Sequence, residues 1–142
     1  MPDFVYSYDW YDGPRSGVAD YEGRPYFFIS QWIDVHTQDE DWFKLSPITQ
    51  EIFELELERW QLWTNYQAAN QAGLVSNEHH PYLPGDRLRG EELDQILEKQ
   101  LVVDEANYLT ARAIFTPLDV QTMQAMQVEM VVQWELLDGI KP

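Results

Sequence analysis

Apolar residues at every second position predict strands at both ends of the chain. Aromatic side chains alternate through 4–11, and this spacing is typical of a β-strand. Turn residues at 12–14 separate it from a second strand at 17–21, and the Glu-Gly pair at 22–23 suits a two-residue hairpin. An aromatic-rich return strand follows at 24–32. The first third therefore predicts a three-stranded antiparallel meander.

The alternation returns near the C-terminus, where two further strands are expected at 108–115 and 127–136. Glutamine and glutamate take most alternate positions of the second strand, so its outer face should meet water. A short strand is also expected at 42–45. The apolar faces of the two C-terminal strands consist of Leu109, Ala111, Ala113 and Phe115, and of Val128, Met130, Val132, Trp134 and Leu136.

The segment from Ser46 to Gly73 predicts a long helix. Ser46 would cap its first turn, Pro47 would take the first helical position, and Gly73 would end it. Apolar residues occupy most of the circumference, so we expect the helix to be largely buried, with the sheet on one side and other chain on the second. Its solvent face should consist of Glu51, Glu54, Glu58, Gln61 and Asn65.

Arg59 lies inside an apolar arc of this helix and has two interpretations. Its aliphatic stem can lie along apolar surface while the guanidinium reaches a carboxylate or the solvent. Alternatively, Arg59 binds an anion in a pocket floored by the helix.

A long connection at 74–90 follows, with two prolines and two glycines. Such loops are uncommon in compact domains and are often functional. The alternative is a structural loop that Tyr82 and Leu83 pin over the long helix. A second helix is expected at 91–101, with a buried stripe of Leu93, Ile96, Leu97 and Leu101.

The order of strands, helices and strands predicts an α+β fold. We expect an antiparallel sheet of five or six strands, made of the N-terminal meander and a C-terminal hairpin, packed against one long and one shorter helix. The length of 142 residues predicts a single domain over 1–142.

The formal net charge of -16 repels nucleic acid and anionic lipid, so neither is expected as a partner. No apolar stretch is long enough to span a membrane. The chain has no cysteine, which favours a reducing compartment, and we expect a cytoplasmic protein of a bacterial type. Aromatic residues make up 14% of the chain, which is compatible with a binding surface or a homodimer as well as with core packing.

No catalytic signature is present. The chain lacks a phosphate-binding glycine loop and a nucleophile elbow, and it has no thiol. Adjacent histidines at 79 and 80 could bind a metal with Glu78 or Asp86, but a third ligand at metal-site spacing is missing. We therefore expect no metal and no cofactor. Arginines 59, 87 and 89 could form a basic island for an anion, or pair with nearby carboxylates.

These observations favour a non-enzymatic protein-binding module that neutralises a basic partner, as an immunity or inhibitor protein does. The alternative is a small-molecule-binding protein or enzyme, with a pocket between the long helix, the sheet and the 74–90 loop. The first hypothesis uses the acidic residues Asp39, Glu40, Asp41, Glu54 and Glu58, and the second uses Arg59, His79, His80, Tyr82 and Arg87.

Overall fold

Six strands and two helices make up the described part of the chain. The computed structural model of the protein describes residues 2–10, 13–31, 42–118 and 129–137. Neither helix is long and apolar enough to cross a membrane. In chain order the elements are β1 (Asp3–Trp10), β2 (Pro14–Tyr21), β3 (Arg24–Ser30), β4 (Phe43–Pro47), α1 (Gln50–Gln71), 3₁₀ turns at Asn77–His79 and Pro84–Asp86, α2 (Arg87–Gln100), β5 (Leu109–Pro117) and β6 (Met130–Leu136).

The six strands form a closed antiparallel barrel. Each strand pairs with the next in chain order, and β6 pairs with β1 through Asp3–Val5 and Met130–Val132. The predicted mixture of helices and antiparallel strands is confirmed, together with the meander and the C-terminal hairpin. The expected open sheet packed against the long helix is wrong. Pairing between the first and last strands satisfies the edges that an open sheet would leave free.

An apolar core fills the barrel. Alanines on β2 and β5 leave room for the aromatic rings, as is common in narrow barrels. Phe115 and Trp134 pack against this core, with their ring centroids 5.9 Å apart. Every strand contributes to the buried cluster, which comprises Val5, Ala19, Phe28, Phe43, Leu45, Ala111, Met130 and Val132.

The predicted turn at 22–23 is confirmed. Glu22 and Gly23 both have positive φ, at 52° and 78°, which is typical of the tight turn that matches the twist of a β-hairpin. Residues 11, 32 and 127–128, at the ends of three predicted strands, lie outside the described residues.

The helix α1 starts later than the sequence predicted. Ser46 and Pro47 extend β4 instead, and the buried Ser46 hydroxyl accepts a hydrogen bond from the Asp104 N–H (2.9 Å). Thr49 is the cap, and its Oγ1 accepts from the Ile52 N–H at 3.2 Å. The predicted cap at Ser46 is wrong because the backbone of Ser46 pairs with Phe27 of β3, a contact that the local sequence does not reveal.

The end of α1 agrees with the sequence. Gly73 has φ 76° and donates its N–H to the Asn70 carbonyl (3.0 Å), while the Leu74 N–H bonds to Ala69 (2.9 Å). These two bonds form a Schellman ending, which requires the left-handed conformation that glycine adopts readily.

The expected burial of α1 is wrong. Along the helix only Glu56 and Tyr66 are buried. The helix lies outside the barrel and contacts β1 and α2. Its other side chains are half-buried or exposed. Most of the predicted solvent face is exposed, namely Glu51, Glu54, Gln61 and Asn65.

The helix α2 begins at Arg87, four residues before the predicted start. The sequence predicted that the loop extends through Gly90, because glycine is unfavourable inside a helix. Here it is buried within α2, and the Tyr82 ring lies within 2.4 Å of the place a Cβ would occupy. The predicted stripe is half correct, since Leu93 and Leu97 are buried whereas Ile96 is exposed.

A bulge in β1 directs polar atoms toward the helices. The register shifts between Val5 and Ser7, which lie opposite Ala19 and Val18 of β2. Such bulges bend a strand and change where its side chains point. At the bulge Gly17 lies so close to β1 that an added Cβ would be 2.0 Å from the Ser7 carbonyl oxygen.

Replacing Gly17→Ala should therefore destabilise the fold by about 2 kcal/mol or more, because a backbone carbonyl cannot move aside as a side chain can. Chemical denaturation measures the loss. Gly85→Ala is the matched control, since nothing lies within 4 Å of an added Cβ at that site. Equal stability of the two variants would contradict the close approach at Ser7.

Candidate functional site

A cleft of about 580 Å³ lies between the outer surface of the barrel and the two helices. Side chains of β1, β2 and β3 line one side, and those of α1, α2 and the chain between the helices line the other. The cleft lies in the region where the alternative hypothesis places a pocket, between the long helix, the sheet and the 74–90 segment.

The floor of the cleft is a chain of polar contacts around Glu56, which is 5% exposed. Ser7 Oγ donates to Glu56 Oε2 at 2.7 Å, and Arg59 Nε donates to Oε1 at 2.9 Å. Arg59 Nη1 also reaches Asp94 Oδ1 at 3.4 Å, and the Tyr82 hydroxyl donates to the same oxygen at 2.7 Å. These contacts join the barrel, α1, α2 and the segment that connects the helices.

The burial of Glu56 dominates its electrostatics. It raises the pKa of the Glu56 carboxyl above its ordinary value of 4.5, and the Asp9 carboxylate acts in the same direction. The guanidinium of Arg59 and the Ser7 hydroxyl lower that pKa without cancelling the effect of burial. Burial and Asp94 likewise raise the pKa of the Tyr82 hydroxyl.

Aromatic rings form one wall of the cleft. Trp60 and Trp63 are one helical turn apart and stack, with centroids 5.0 Å apart and planes inclined by 29°. Tyr8 of β1 packs 5.3 Å from Trp60, and Trp10 lies 6.4 Å from Tyr8. Trp10 remains 54% exposed. The wall therefore continues from α1 across to the barrel.

Carboxylates outnumber cations in the cleft. Among the lining residues that the structure describes, Arg59 is the single arginine or lysine, and it is engaged by Glu56 and Asp94. Asp9 and Glu98 are exposed, and neither has a hydrogen-bond or ion-pair partner within the described part of the chain. The cleft thus combines a paired floor with two unpaired carboxylates.

Three of the five residues predicted for a pocket line the cleft. They are Arg59, His80 and Tyr82. The other two, His79 and Arg87, do not line it. Arg87 Nη2 instead donates to the backbone oxygen of His79 at 2.9 Å and holds the segment between the helices in place.

The arginines on α2 are paired with carboxylates. Arg87 lies 3.6 Å from Glu91. Arg89 donates through Nε and Nη2 to the two oxygens of Glu58, both at 2.7 Å, and also contacts Glu92. These hydrogen bonds lower the pKa of the Glu58 carboxyl. The structure thus favours pairing over a basic island for an anion.

The acidic residues proposed for a basic partner are only partly within the described residues. Asp39, Glu40 and Asp41 lie outside them. Glu54 is exposed on α1 and accepts a hydrogen bond from Gln50, whereas Glu58 is engaged by α2. The described ranges contain no group of three or more histidines and carboxylates that could hold a metal ion.

Sequence reasoning missed Glu56, Trp60 and Trp63 as site residues. With each residue turning by about 100°, the helical wheel places Glu56 between the two tryptophans and opposite the solvent stripe. An acidic residue among aromatic side chains on an apolar face was the available signal. It was obscured because acidic residues are abundant throughout the chain.

Comparisons of this chain with protein-family models, with curated proteins and with solved structures found no match.

Replacing Glu56→Gln should change how stability depends on pH. A raised carboxyl pKa means that the folded protein holds a proton more strongly than the unfolded chain. Its contribution is therefore lost as pH rises from 4.5 through the raised pKa. Relative to the wild type, the variant should become more stable as pH increases over this range.

Urea denaturation at a series of pH values from 4 to about 8 measures this difference. Glu51→Gln is the control, because it removes an exposed carboxyl from the same helix and should not reproduce the relative gain in stability with rising pH. A difference between Glu56→Gln and wild type that stays constant with pH would refute the raised pKa.

Proposed function

We propose that the protein is a non-enzymatic binding protein that holds a small organic molecule in the cleft between the barrel and the helices α1 and α2. The observation that carries the proposal is the cleft itself, a concavity of about 580 Å³ with an aromatic wall and a polar floor. Small-molecule sites typically span roughly 300–1,000 Å³ and combine apolar walls with a few fixed polar groups.

The rigidity of the floor supports binding. Glu56 and Asp94 are each bound by two neighbouring side chains, and Arg59 contacts both carboxylates. Polar groups fixed in this way are preorganised, which reduces the entropy lost when a ligand enters. The cleft is therefore built before a ligand arrives.

The same contacts argue against catalysis. A general acid or base must reach the proton that it transfers. Glu56, the carboxyl whose pKa is raised, is 5% exposed and is bound by Ser7 and Arg59. A ligand would have to displace these contacts before Glu56 could act on it.

A second candidate is a protein-binding module that neutralises a basic partner. It is supported by the net charge of -16 and by the exposed Trp10 at the cleft, since tryptophan is a frequent anchor at interfaces. Glu54 would contribute to such a surface. Glu58 would have to leave Arg89, so the partner would compete with α2 for it.

Screening a fragment library by ligand-observed NMR tests the cleft. Fragments should bind the wild-type protein, and Trp63→Ala should weaken their binding about tenfold or more, because truncating an aromatic anchor in the wall of the cleft removes much of the contact energy. Tryptophan fluorescence should change on binding, since three tryptophan rings lie in the wall.

Gln61→Ala is the matched control, because Gln61 is exposed on α1 and does not line the cleft. It should bind fragments as the wild type does. Fragments that bind Trp63→Ala as tightly as the wild type would place the site elsewhere. A folded wild-type protein that binds none of them would exclude the proposal.

A further inference from the structure

We propose that the cleft selects an organic cation, with an ammonium or guanidinium head group held against the Trp60–Trp63 pair and neutralised by Asp9 and Glu98. The inference rests on the proposed function, because it names the class of ligand that the same cleft would take.

The stacked tryptophans provide the surface for the cation. Their faces carry negative electrostatic potential, and tryptophan attracts cations more strongly than the other aromatic residues do. Tyr8 and Trp10 continue the wall on the barrel side. Aromatic rings contributed from more than one element are the usual means by which proteins hold quaternary ammonium groups.

The distribution of charge distinguishes a cation from an anion. Within the described lining of the cleft, Arg59 is the sole arginine or lysine, and two carboxylates already share it, with Glu56 at 2.7 Å and Asp94 at 3.4 Å. An anionic ligand would have to compete with both. It would also approach Asp9 and Glu98, which repel it. The interpretation of Arg59 as an anion-binding residue therefore does not fit this cleft.

The unpaired carboxylates distinguish a cation from a neutral ligand. Asp9 and Glu98 line the cleft and are exposed, without a partner among the described side chains. A neutral molecule that covered them would remove water without replacing the lost hydration. A cation would compensate for that loss, so these two residues should contribute to affinity only when the ligand is positively charged.

Two compounds of nearly equal shape test the inference. Choline carries a trimethylammonium group, and 3,3-dimethylbutan-1-ol carries the neutral tert-butyl group in its place. Isothermal titration should give choline at least about tenfold higher affinity, because cation–π attraction and the carboxylates act on choline alone. Its affinity should fall as salt rises, since the carboxylates are exposed.

Two variants test whether the carboxylates of the cleft cause the preference for choline. Asp9→Asn and Glu98→Gln should each weaken choline several-fold and leave the neutral alcohol unchanged. Both side chains are exposed, so these variants should keep the fold, which circular dichroism checks. Glu51→Gln removes one negative charge outside the cleft and should leave choline binding at the wild-type level.

The source of the cation is tested with agmatine and with a decapeptide rich in arginine and lysine. Binding of choline or agmatine supports a free small molecule. Binding of the peptide alone, with the same loss in Asp9→Asn, supports the cation chemistry and assigns its source to a protein partner.

Other outcomes separate the two proposals. Equal affinity for choline and the alcohol, unaffected by Asp9→Asn, would overturn the cation inference and leave a binding cleft. Fragment binding that is weakened in Trp63→Ala, together with no binding of choline, agmatine or the peptide, would also overturn the cation inference and leave a binding cleft. If no fragment and no cation binds, both proposals are wrong.

Discussion

The carboxylate of Glu56 connects the barrel to the helices that form the cleft. It receives hydrogen bonds from Ser7 of β1 and from Arg59 of α1, and Arg59 extends the chain to Asp94 of α2. Tyr82 binds that same aspartate and so holds the segment between the helices. Burying a charge in this way costs free energy, and a buried ion pair is weak support for stability. Its effect here is geometric, because each contact fixes one wall of the cleft relative to another.

That geometry depends in turn on a backbone irregularity. The bulge in β1 directs Ser7 toward α1, and it is tolerated because Gly17 on β2 has no side chain to meet the Ser7 carbonyl. A similar arrangement occurs on α2, where Gly90 leaves space for the Tyr82 ring. Two glycines thus permit the close approaches that place the first and last members of the polar chain.

Local patterns in the sequence predicted most strands, the 22–23 turn and the end of α1 at Gly73, because alternation and turn chemistry act over a few residues. Closure of the barrel was not predictable, since it depends on pairing between strands at opposite ends of the chain. The start of α2 was missed for a similar reason: Gly90 is explained only by a contact with Tyr82. At the site, the sequence pattern identified Arg59 as a charged residue within an apolar arc of the long helix. Glu56 gave the same signal and was lost among 25 acidic residues.

The barrel contains the apolar core, whereas the helices form the outer side of the cleft. Aromatic side chains and small residues such as Ala111 fill the barrel interior. The helices α1 and α2 are both inserted between β4 and β5, and they add a second layer outside the barrel in which α1 contacts β1. A cleft forms because the two layers meet through side chains of unequal size, with large rings of α1 on one side and the glycine-containing β2 on the other. Changes in the inserted segment can therefore reshape the cleft without disturbing the barrel core, whereas changes at Ser7 or Gly17 affect both.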